Sequence, residues 1–200
     1  MSIHIILNSI WRNPGNRGQR LARTLAAVRW QLFKRLVKRS RPLLLASGAK
    51  LVAYADCVVS SALIYADWPE HRELTFIRRR LRKNDVIIDV GANVGHILLL
   101  LADVAGPENL FAFEPTPVTF ARLKGNWEFN GWPTNQLYPV ALGATEGRLF
   151  IRNTSRPETT NALHQVRADD DIETQVLPLD SFRDLWRNRS IGLVKIDVED

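Results

Sequence analysis

The segment Asp85–Gly95, read Asp-Val-Ile-Ile-Asp-Val-Gly-Ala-Asn-Val-Gly, constrains the fold of this chain more than any other. Val86–Val90 is a short apolar run rich in β-branched residues with one aspartate, which is typical of a strand buried on both faces of a parallel sheet. Gly91 and Gly95 bracket a tight turn, and the apolar run Ile97–Leu101 predicts a helix after it. This combination predicts a nucleotide site, because glycine lets a ligand approach the backbone and a helix N-terminus presents N–H groups.

The spacing within this turn narrows the class of ligand. The dinucleotide fingerprint Gly-x-Gly-x-x-Gly needs a glycine where Asn93 stands, and no Gly-Lys-Ser/Thr of a P-loop follows Gly95. An uncharged nucleoside therefore fits better than a nucleotide bound through its phosphates. On the turn by itself, an ordinary strand-to-helix connection with glycines for geometry alone is the alternative.

Three segments in this order resemble the FkbM family of S-adenosylmethionine-dependent methyltransferases: Asp89–Gly95, Phe113-Glu114-Pro115 and Lys195-Ile196-Asp197-Val198-Glu199. The resemblance covers roughly Trp68–Asp200. It implies an α/β, Rossmann-like class I methyltransferase fold with a mostly parallel sheet, S-adenosylmethionine as the cofactor, and methyl transfer to an oxygen.

The candidate cofactor-binding residues lie on the turn and at the ends of the next two predicted strands. Glu114 ends the predicted strand Leu110–Phe113, where a carboxylate can accept hydrogen bonds from both ribose hydroxyls of a nucleoside. A surface acid at a strand end is the alternative. The resemblance places further cofactor-binding backbone at the exit of the third predicted strand, Gln136–Leu142. The full candidate set is Asp89, Gly91, Ala92, Asn93, Gly95, Glu114 and Ala141.

The acceptor side is expected at the end of the fourth predicted strand, Ile191–Val198. The resemblance implies the strand order 3-2-1-4, and ligands of open α/β sheets bind where the order reverses, here between Gly91–Gly95 and Asp197. Asp197 is the candidate base that removes the acceptor's proton or orients the acceptor, with Glu199 second. The alternative is that Asp197 only binds neighbouring backbone.

The resemblance also implies further strands beyond Lys-Ile-Asp-Val-Glu, whereas the sequence stops at Asp200. We therefore expect a C-terminally truncated domain whose sheet is incomplete, with Ile191–Val198 as an exposed apolar edge. In such a chain, cofactor binding should survive better than catalysis.

The charge is unevenly distributed along the chain. The net charge is +6, but residues 1–84 carry 17 Lys and Arg against 4 Asp and Glu, and residues 85–200 carry 10 against 17. Within the basic part, Gln19–Arg39 predicts an amphipathic helix with an apolar stripe that Trp30, Phe33 and Val37 widen, while Arg23, Lys34 and Lys38 fall on the opposite side. The favoured interpretation is packing on its own domain, and peripheral contact with an anionic membrane is the alternative. The stripe consists of Leu21, Leu25, Val28, Leu32 and Leu36.

These patterns divide the chain into a basic N-terminal extension, residues 1–67, and a methyltransferase domain, residues 68–200. Within the extension, the strand-like composition of Lys50–Tyr54 and Cys57–Tyr65 predicts a hairpin over 50–65. Within the domain, Gly147–Arg152 predicts an antiparallel strand, and the polar segment Asn153–Gln175 predicts a lid, a substrate loop or a surface insertion.

Composition excludes several other classes of protein. The single cysteine, Cys57, rules out an internal disulfide, and the four histidines show no metal-ligand spacing, so no metal is expected. No known nucleic-acid motif accompanies the basic charge, so no nucleic-acid partner is expected. We expect a cytoplasmic enzyme acting on a small-molecule or glycan hydroxyl. A non-catalytic fragment that binds cofactor, a membrane or a partner is the alternative, and an NAD-dependent oxidoreductase is disfavoured by Asn93.

Overall fold

The computed structural model describes residues 3–151, 163–164 and 171–198. The N-terminal part contains α1 (Ile3–Arg12), α2 (Arg20–Leu36), β1 (Arg41–Leu44), β2 (Lys50–Ala53), α3 (Val58–Tyr65) and α4 (His71–Arg80). It continues with β3 (Val86–Val90), α5 (His96–Ala105), β4 (Leu110–Phe113), α6 (Pro117–Phe129), β5 (Leu137–Tyr138), β6 (Ala141–Leu142), β7 (Gly147–Ile151), β8 (Leu163–His164), β9 (Ile172–Leu177) and β10 (Ile191–Ile196). Short 3-10 helices occupy Pro14–Asn16, Pro107–Asn109 and Leu179–Trp186.

The central sheet is parallel, and its four strands have the order β10–β3–β4–β5. This order confirms the predicted Rossmann-like arrangement, in which the first strand lies between the second and the fourth. Every residue of β3 is buried, because α5 packs on one face and the 3-10 helix Leu179–Trp186 lies on the other. On that second face, Trp186 contacts Phe111 edge to face, with ring centroids 5.4 Å apart.

One continuous apolar core joins the N-terminal extension to the α5 face of the sheet. Buried side chains of the extension, including Trp30 and Leu51, share a cluster with Leu98 and Trp127. The side chain of Asn126 strengthens the junction, since its Oδ1 accepts from the Val52 amide at 2.8 Å. The division at residue 67 stays a prediction.

A second, four-stranded sheet has the order β6–β9–β7–β8. β7 is antiparallel to β9, which confirms the predicted antiparallel strand. The predicted third strand, Gln136–Leu142, is wrong as one strand: β5 belongs to the central sheet, and β6 pairs with β9. Pro139 separates the two and has no amide hydrogen with which to continue the ladder.

The predicted loop Asn153–Gln175 overlaps the second sheet at its end. Residues 172–175 lie in β9, where inward-facing Thr174 and Val176 alternate with exposed residues, so the prediction is wrong there. The short strand β8 lies within the same segment. The rest of the segment lies outside the described residues.

The predicted hairpin over 50–65 is wrong in its second strand. β2 pairs instead with β1, from Arg41↔Ala53 to Leu44↔Lys50, and Val58–Tyr65 forms α3. The Sγ atom of Cys57 accepts a hydrogen bond from the Ser60 amide at 3.3 Å and caps this helix. A short apolar run does not distinguish a strand from a buried helix by periodicity alone, and this run is a buried helix.

The predicted amphipathic helix is confirmed as α2, and it packs on its own domain. The predicted packing face is wrong, because Trp30 lies opposite the leucines and not beside them. The opposite side of the helix packs on α3: Ala27 and Trp30 are buried, and the indole Nε1 of Trp30 donates to Ser61 Oγ at 3.0 Å. The Lys34 ammonium donates to the same Ser61 hydroxyl at 3.2 Å. The five residues of the stripe all remain exposed.

Candidate functional site

The turn between β3 and α5 has a backbone that glycine and asparagine adopt most readily. Gly91, Asn93 and Gly95 have φ angles of +74°, +53° and +81°, in the left-handed region. The amides of Gly91 and Ala92 both donate to the carbonyl oxygen of Phe113, at 2.9 and 3.0 Å. The turn is therefore tied to the carboxyl end of β4, where Glu114 follows.

Both bracketing glycines are in close contact with neighbouring elements. A Cβ atom on residue 91 would lie 2.1 Å from the carbonyl oxygen of Asp197. A Cβ on residue 95 would lie 2.5 Å from Leu123 Cδ1 and 2.7 Å from Trp127 Cζ3. Gly91 thus allows the end of β10 to approach the turn, and Gly95 allows α6 to pack on the start of α5.

The carboxylate of Glu114 braces the turn, a role that sequence reasoning did not predict. Its Oε2 accepts from the Asn93 amide and its Oε1 from the Thr116 amide, each at 2.9 Å. Glu114 is 6% exposed, and burial raises its pKa, although the amides of Thr116 and Asn93 oppose the shift. A carboxylate has about four lone-pair sites, and the two amides and the Thr116 side chain occupy three of them. Glu114 therefore retains capacity for one further donor.

Lys195 links the first and last motifs through their side chains. In the parallel ladder Lys195 lies beside Asp89, and its Nζ is 2.9 Å from Asp89 Oδ1 and 3.5 Å from Asp197 Oδ2. Asp89 Oδ2 has no hydrogen-bond partner among the described residues. Burial raises the pKa of Asp89, and the neighbouring Lys195 ammonium acts against this shift. The pairing register of β10 and β3 cannot be derived from the sequence, so this link could not be predicted.

The structure brings most of the predicted site residues together at one edge of the central sheet. The turn, Glu114 and Asp197 meet at the carboxyl ends of β3, β4 and β10. The Asp197 side chain is 76% exposed, while its amide donates to the Val90 carbonyl at 3.0 Å. Ala141 lies in β6 of the second sheet, and Glu199 lies outside the described residues.

A second pair of polar side chains beside the turn was also missed by sequence reasoning. His96, the first residue of α5, has its Nε2 3.7 Å from the Oε2 of Glu70, which precedes α4. The neighbouring His96 side chain lowers the pKa of Glu70, and the charge of Lys195 adds to the effect. His96 Nδ1 is buried without a hydrogen-bond partner among the described residues. No spacing rule connects positions so far apart, so only the fold reveals the pair.

The chain belongs to the FkbM methyltransferase family. The family described as "Methyltransferase FkbM domain" matches residues 89–200, which is more than half of the chain. This match includes all three motifs and confirms the resemblance noted in the sequence.

Two curated relatives also carry methyltransferase names. The hexuronic acid methyltransferase AglP of Haloferax volcanii is 26% identical over 130 residues, covering 65% of this chain and 52% of AglP. The 31-O-demethyl-FK506 methyltransferase FkbM of Streptomyces tacrolimicus is 49% identical over 47 residues, covering 23% of this chain and 18% of that protein. The matches thus span about half of AglP and less than a fifth of the other relative.

Two solved structures have more distant similarity. One is TYW2 of P. horikoshii in complex with MeSAdo, with 19% identity, a TM-score of 0.36, and coverage of 50% of this chain and 35% of that one. The other is a SAM-dependent methyltransferase from Agrobacterium tumefaciens, with 12% identity, a TM-score of 0.35, and coverage of 50% and 31%.

Proposed function

We propose that this protein binds S-adenosylmethionine and transfers its methyl group to a hydroxyl of a sugar, a glycan or another small molecule. The observation that carries the proposal is the contact between the Gly91 turn and Asp197 at the ends of β3 and β10. Open α/β sheets bind ligands where the strand order reverses, and these two strands flank that point. Membership of the FkbM family supports the same reaction.

The residues around the turn fit a cofactor that carries a ribose and a cationic amino-acid part. Asp89 offers a buried carboxylate oxygen with no hydrogen-bond partner among the described residues, and a carboxylate favours a nearby cation. Glu114 keeps capacity for one further donor, which suits a ribose hydroxyl. We assign cofactor binding to Asp89, Gly91, Ala92, Asn93, Gly95, Glu114 and Ala141. When bound, the cofactor supplies an activated methyl group.

Asp197 is placed to act on the acceptor. Its exposed carboxylate follows β10 beside the turn and lies 3.5 Å from the Lys195 ammonium, so an acceptor hydroxyl can reach it as a general base requires. In this role Asp197 Oδ2 accepts the hydroxyl proton of the acceptor or orients that hydroxyl. Glu199 is the second candidate. Positioning of the two reactants supplies much of the rate in a displacement at a methyl group.

A sugar or glycan acceptor is favoured by one relative. AglP is named as a hexuronic acid methyltransferase, so a sugar-containing acceptor is the first class to test. Transfer of a labelled methyl group to cell-envelope glycans, compared with transfer to free sugars and to polyketide-like alcohols, separates the candidate acceptors.

The Glu114→Ala variant is expected to bind the cofactor product S-adenosylhomocysteine about 10- to 100-fold more weakly. Loss of a hydrogen bond to a charged group costs about 1.5–3 kcal/mol, which corresponds to this range. Isothermal titration calorimetry measures the change. Burial raises the pKa of Glu114, so this carboxyl is protonated at a higher pH than an ordinary one. As the pH falls, the affinity of the unmodified protein should therefore weaken earlier than an ordinary carboxyl would cause.

The matched control for this measurement is Glu128→Ala, which removes an exposed carboxylate from α6. We expect its affinity to equal that of the unmodified protein. Unchanged binding by a folded Glu114→Ala protein would remove Glu114 from the proposed site.

The Asp197→Asn variant is expected to lower turnover by about 100-fold or more, the usual contribution of a general base, while cofactor affinity stays constant. Radiolabelled methyl transfer to the identified acceptor measures turnover, and calorimetry measures affinity. Asp184→Asn, which changes another exposed aspartate, is the control. Turnover as high as that of the control would show that Asp197 only contacts backbone.

Ligand binding distinguishes the competing functions. Preferential binding of NAD over S-adenosylhomocysteine would favour an oxidoreductase, and cofactor binding without transfer to any acceptor would favour a non-catalytic role. We also propose that the protein works in the cytoplasm, where cells make S-adenosylmethionine. Peripheral contact with the inner membrane face is a separate proposal, which rests on the surface of α2 rather than on this site.

A further inference from the structure

The α2 helix presents a continuous apolar stripe to solvent. Leu21 and Leu36, at its two ends, are 78% and 80% exposed, and the residues between them are about half exposed. At 100° per residue all five members lie within one narrow strip along the helix. We call this strip the leucine stripe: Leu21, Leu25, Val28, Leu32 and Leu36. An exposed apolar surface of this kind marks an interaction site more often than an ordinary surface.

The packing of α2 explains why the leucine stripe is outward. The helix is fixed from its other side by buried Trp30 and by an ion pair between Arg23 and Asp67. The hydrogen bonds from Trp30 and Lys34 to Ser61 hold the same side. Turning the stripe inward would break all of these contacts, so the stripe is outward in the folded domain.

Positive charge surrounds the leucine stripe. Arg29 and Arg35 are exposed on its two flanks, and Lys38 and Arg39 follow its C-terminal end. No acidic residue occurs in the sequence before Asp56. The surface therefore combines exposed leucines with cations of one sign.

We infer that α2 docks in the plane of an anionic lipid surface, with the leucine stripe among the acyl chains and the flanking cations at the headgroups. Helices with this division of charge and apolar residues bind at membrane interfaces, and binding strengthens with anionic lipid. The stripe extends about 22 Å along the helix, at 1.5 Å per residue. Among the helices of the described residues, none combines the length and the hydropathy of a bilayer span.

Two other occupants fit the surface less well. A second copy packed on the same stripe would bring Arg29 and Arg35 close to their own equivalents, and like charges repel. A nucleic acid would use the cations but leave the leucines in water. An anionic membrane satisfies both features at once.

The test is sedimentation of the full chain with vesicles of pure phosphatidylcholine or of a mixture with phosphatidylglycerol. We expect binding to the mixed vesicles, weaker binding to phosphatidylcholine, and release as salt is raised, because screening weakens exposed charges. The double variant Leu25→Ser/Leu32→Ser should bind at least about tenfold more weakly, since two leucines no longer enter the lipid. Arg29→Glu/Arg35→Glu should lose the preference for phosphatidylglycerol.

The control variant is Val118→Ser, which changes an exposed apolar residue on α6 and should bind like the unmodified protein. All the changed side chains are exposed, so thermal melting should confirm that each variant folds. Equal binding to both vesicle types, or unchanged binding by the leucine variant, would overturn the inference. So would a dimer that the leucine variant abolishes, or RNA binding that competes with vesicles and depends on the cations alone.

Discussion

Replacing Gly91 by alanine is expected to destabilise the protein by more than about 3 kcal/mol and to abolish measurable cofactor binding. The new Cβ would lie 2.1 Å from the carbonyl oxygen of Asp197, so the end of β10 must move away from the turn. The left-handed backbone at φ +74° adds about 1–2 kcal/mol for any residue with a side chain. Chemical denaturation measures the stability, and calorimetry with S-adenosylhomocysteine measures the binding.

Gly131→Ala separates the clash from the backbone strain. Gly131 follows the C-terminal end of α6 and has φ +72°, but a Cβ there meets nothing within 4 Å. The left-handed backbone alone should therefore lower the free energy of unfolding of this variant, by about 1–2 kcal/mol, and cofactor binding should be normal. Equal destabilisation by the two substitutions would mean that β10 does not press on the turn, and the proposed junction of cofactor and acceptor sides would be wrong.

The central sheet could be predicted because its signals are local. The apolar run Val86–Val90, the two glycines after it and the helical run that follows each limit the backbone over a few residues. The signal that ends α5 is local too, since Gly106 has φ +88° and the proline after it cannot continue a helix. The strand order came from the family resemblance, and the structure confirms it.

The wrong predictions concern segments whose local sequence pattern does not determine which part of the protein they pack against. The leucine stripe of α2 shows which residues share a face, but not which face the domain covers. The choice depends on Trp30, whose indole N–H needs an acceptor when buried and finds Ser61. The same limit applies to Val58–Tyr65, whose apolar run is compatible with a strand or a buried helix until its neighbours are known.

The candidate site was predicted residue by residue, but not its connections. The bracing of Asn93 by Glu114, and the pair of Glu70 with His96, depend on turns and helix ends that come together only in the fold. The most consequential of these connections is the pair of buried Asp89 with partly buried Lys195. This pair joins the first motif to the third at the proposed site.

The Lys195→Met variant is expected to lower the free energy of unfolding by about 3 kcal/mol at pH 7. Removing one partner of a buried ion pair leaves the other charge uncompensated and costs about 3–5 kcal/mol. The Asp89 side chain is 1% exposed, and Lys195 Nζ lies 2.9 Å from its Oδ1. Lys124→Met is the control, because Lys124 pairs with Glu128 at 3.9 Å on the surface, where such pairs contribute less than about 1 kcal/mol.

The pH dependence identifies Asp89 as the cause. Burial raises the pKa of Asp89 in the folded state, and loss of the ammonium raises it further. A group with a raised pKa contributes its stability below the unfolded pKa, about 3.9 for aspartate, and loses it as the pH rises through the folded pKa. The loss of unfolding free energy in Lys195→Met should therefore be small in acid and larger towards neutral pH.

Adding Asp89→Asn should remove most of this increase with pH, because the uncompensated charge is then absent. A deficit that is constant with pH, or that the second substitution leaves unchanged, would mean that Lys195 stabilises the sheet through packing alone.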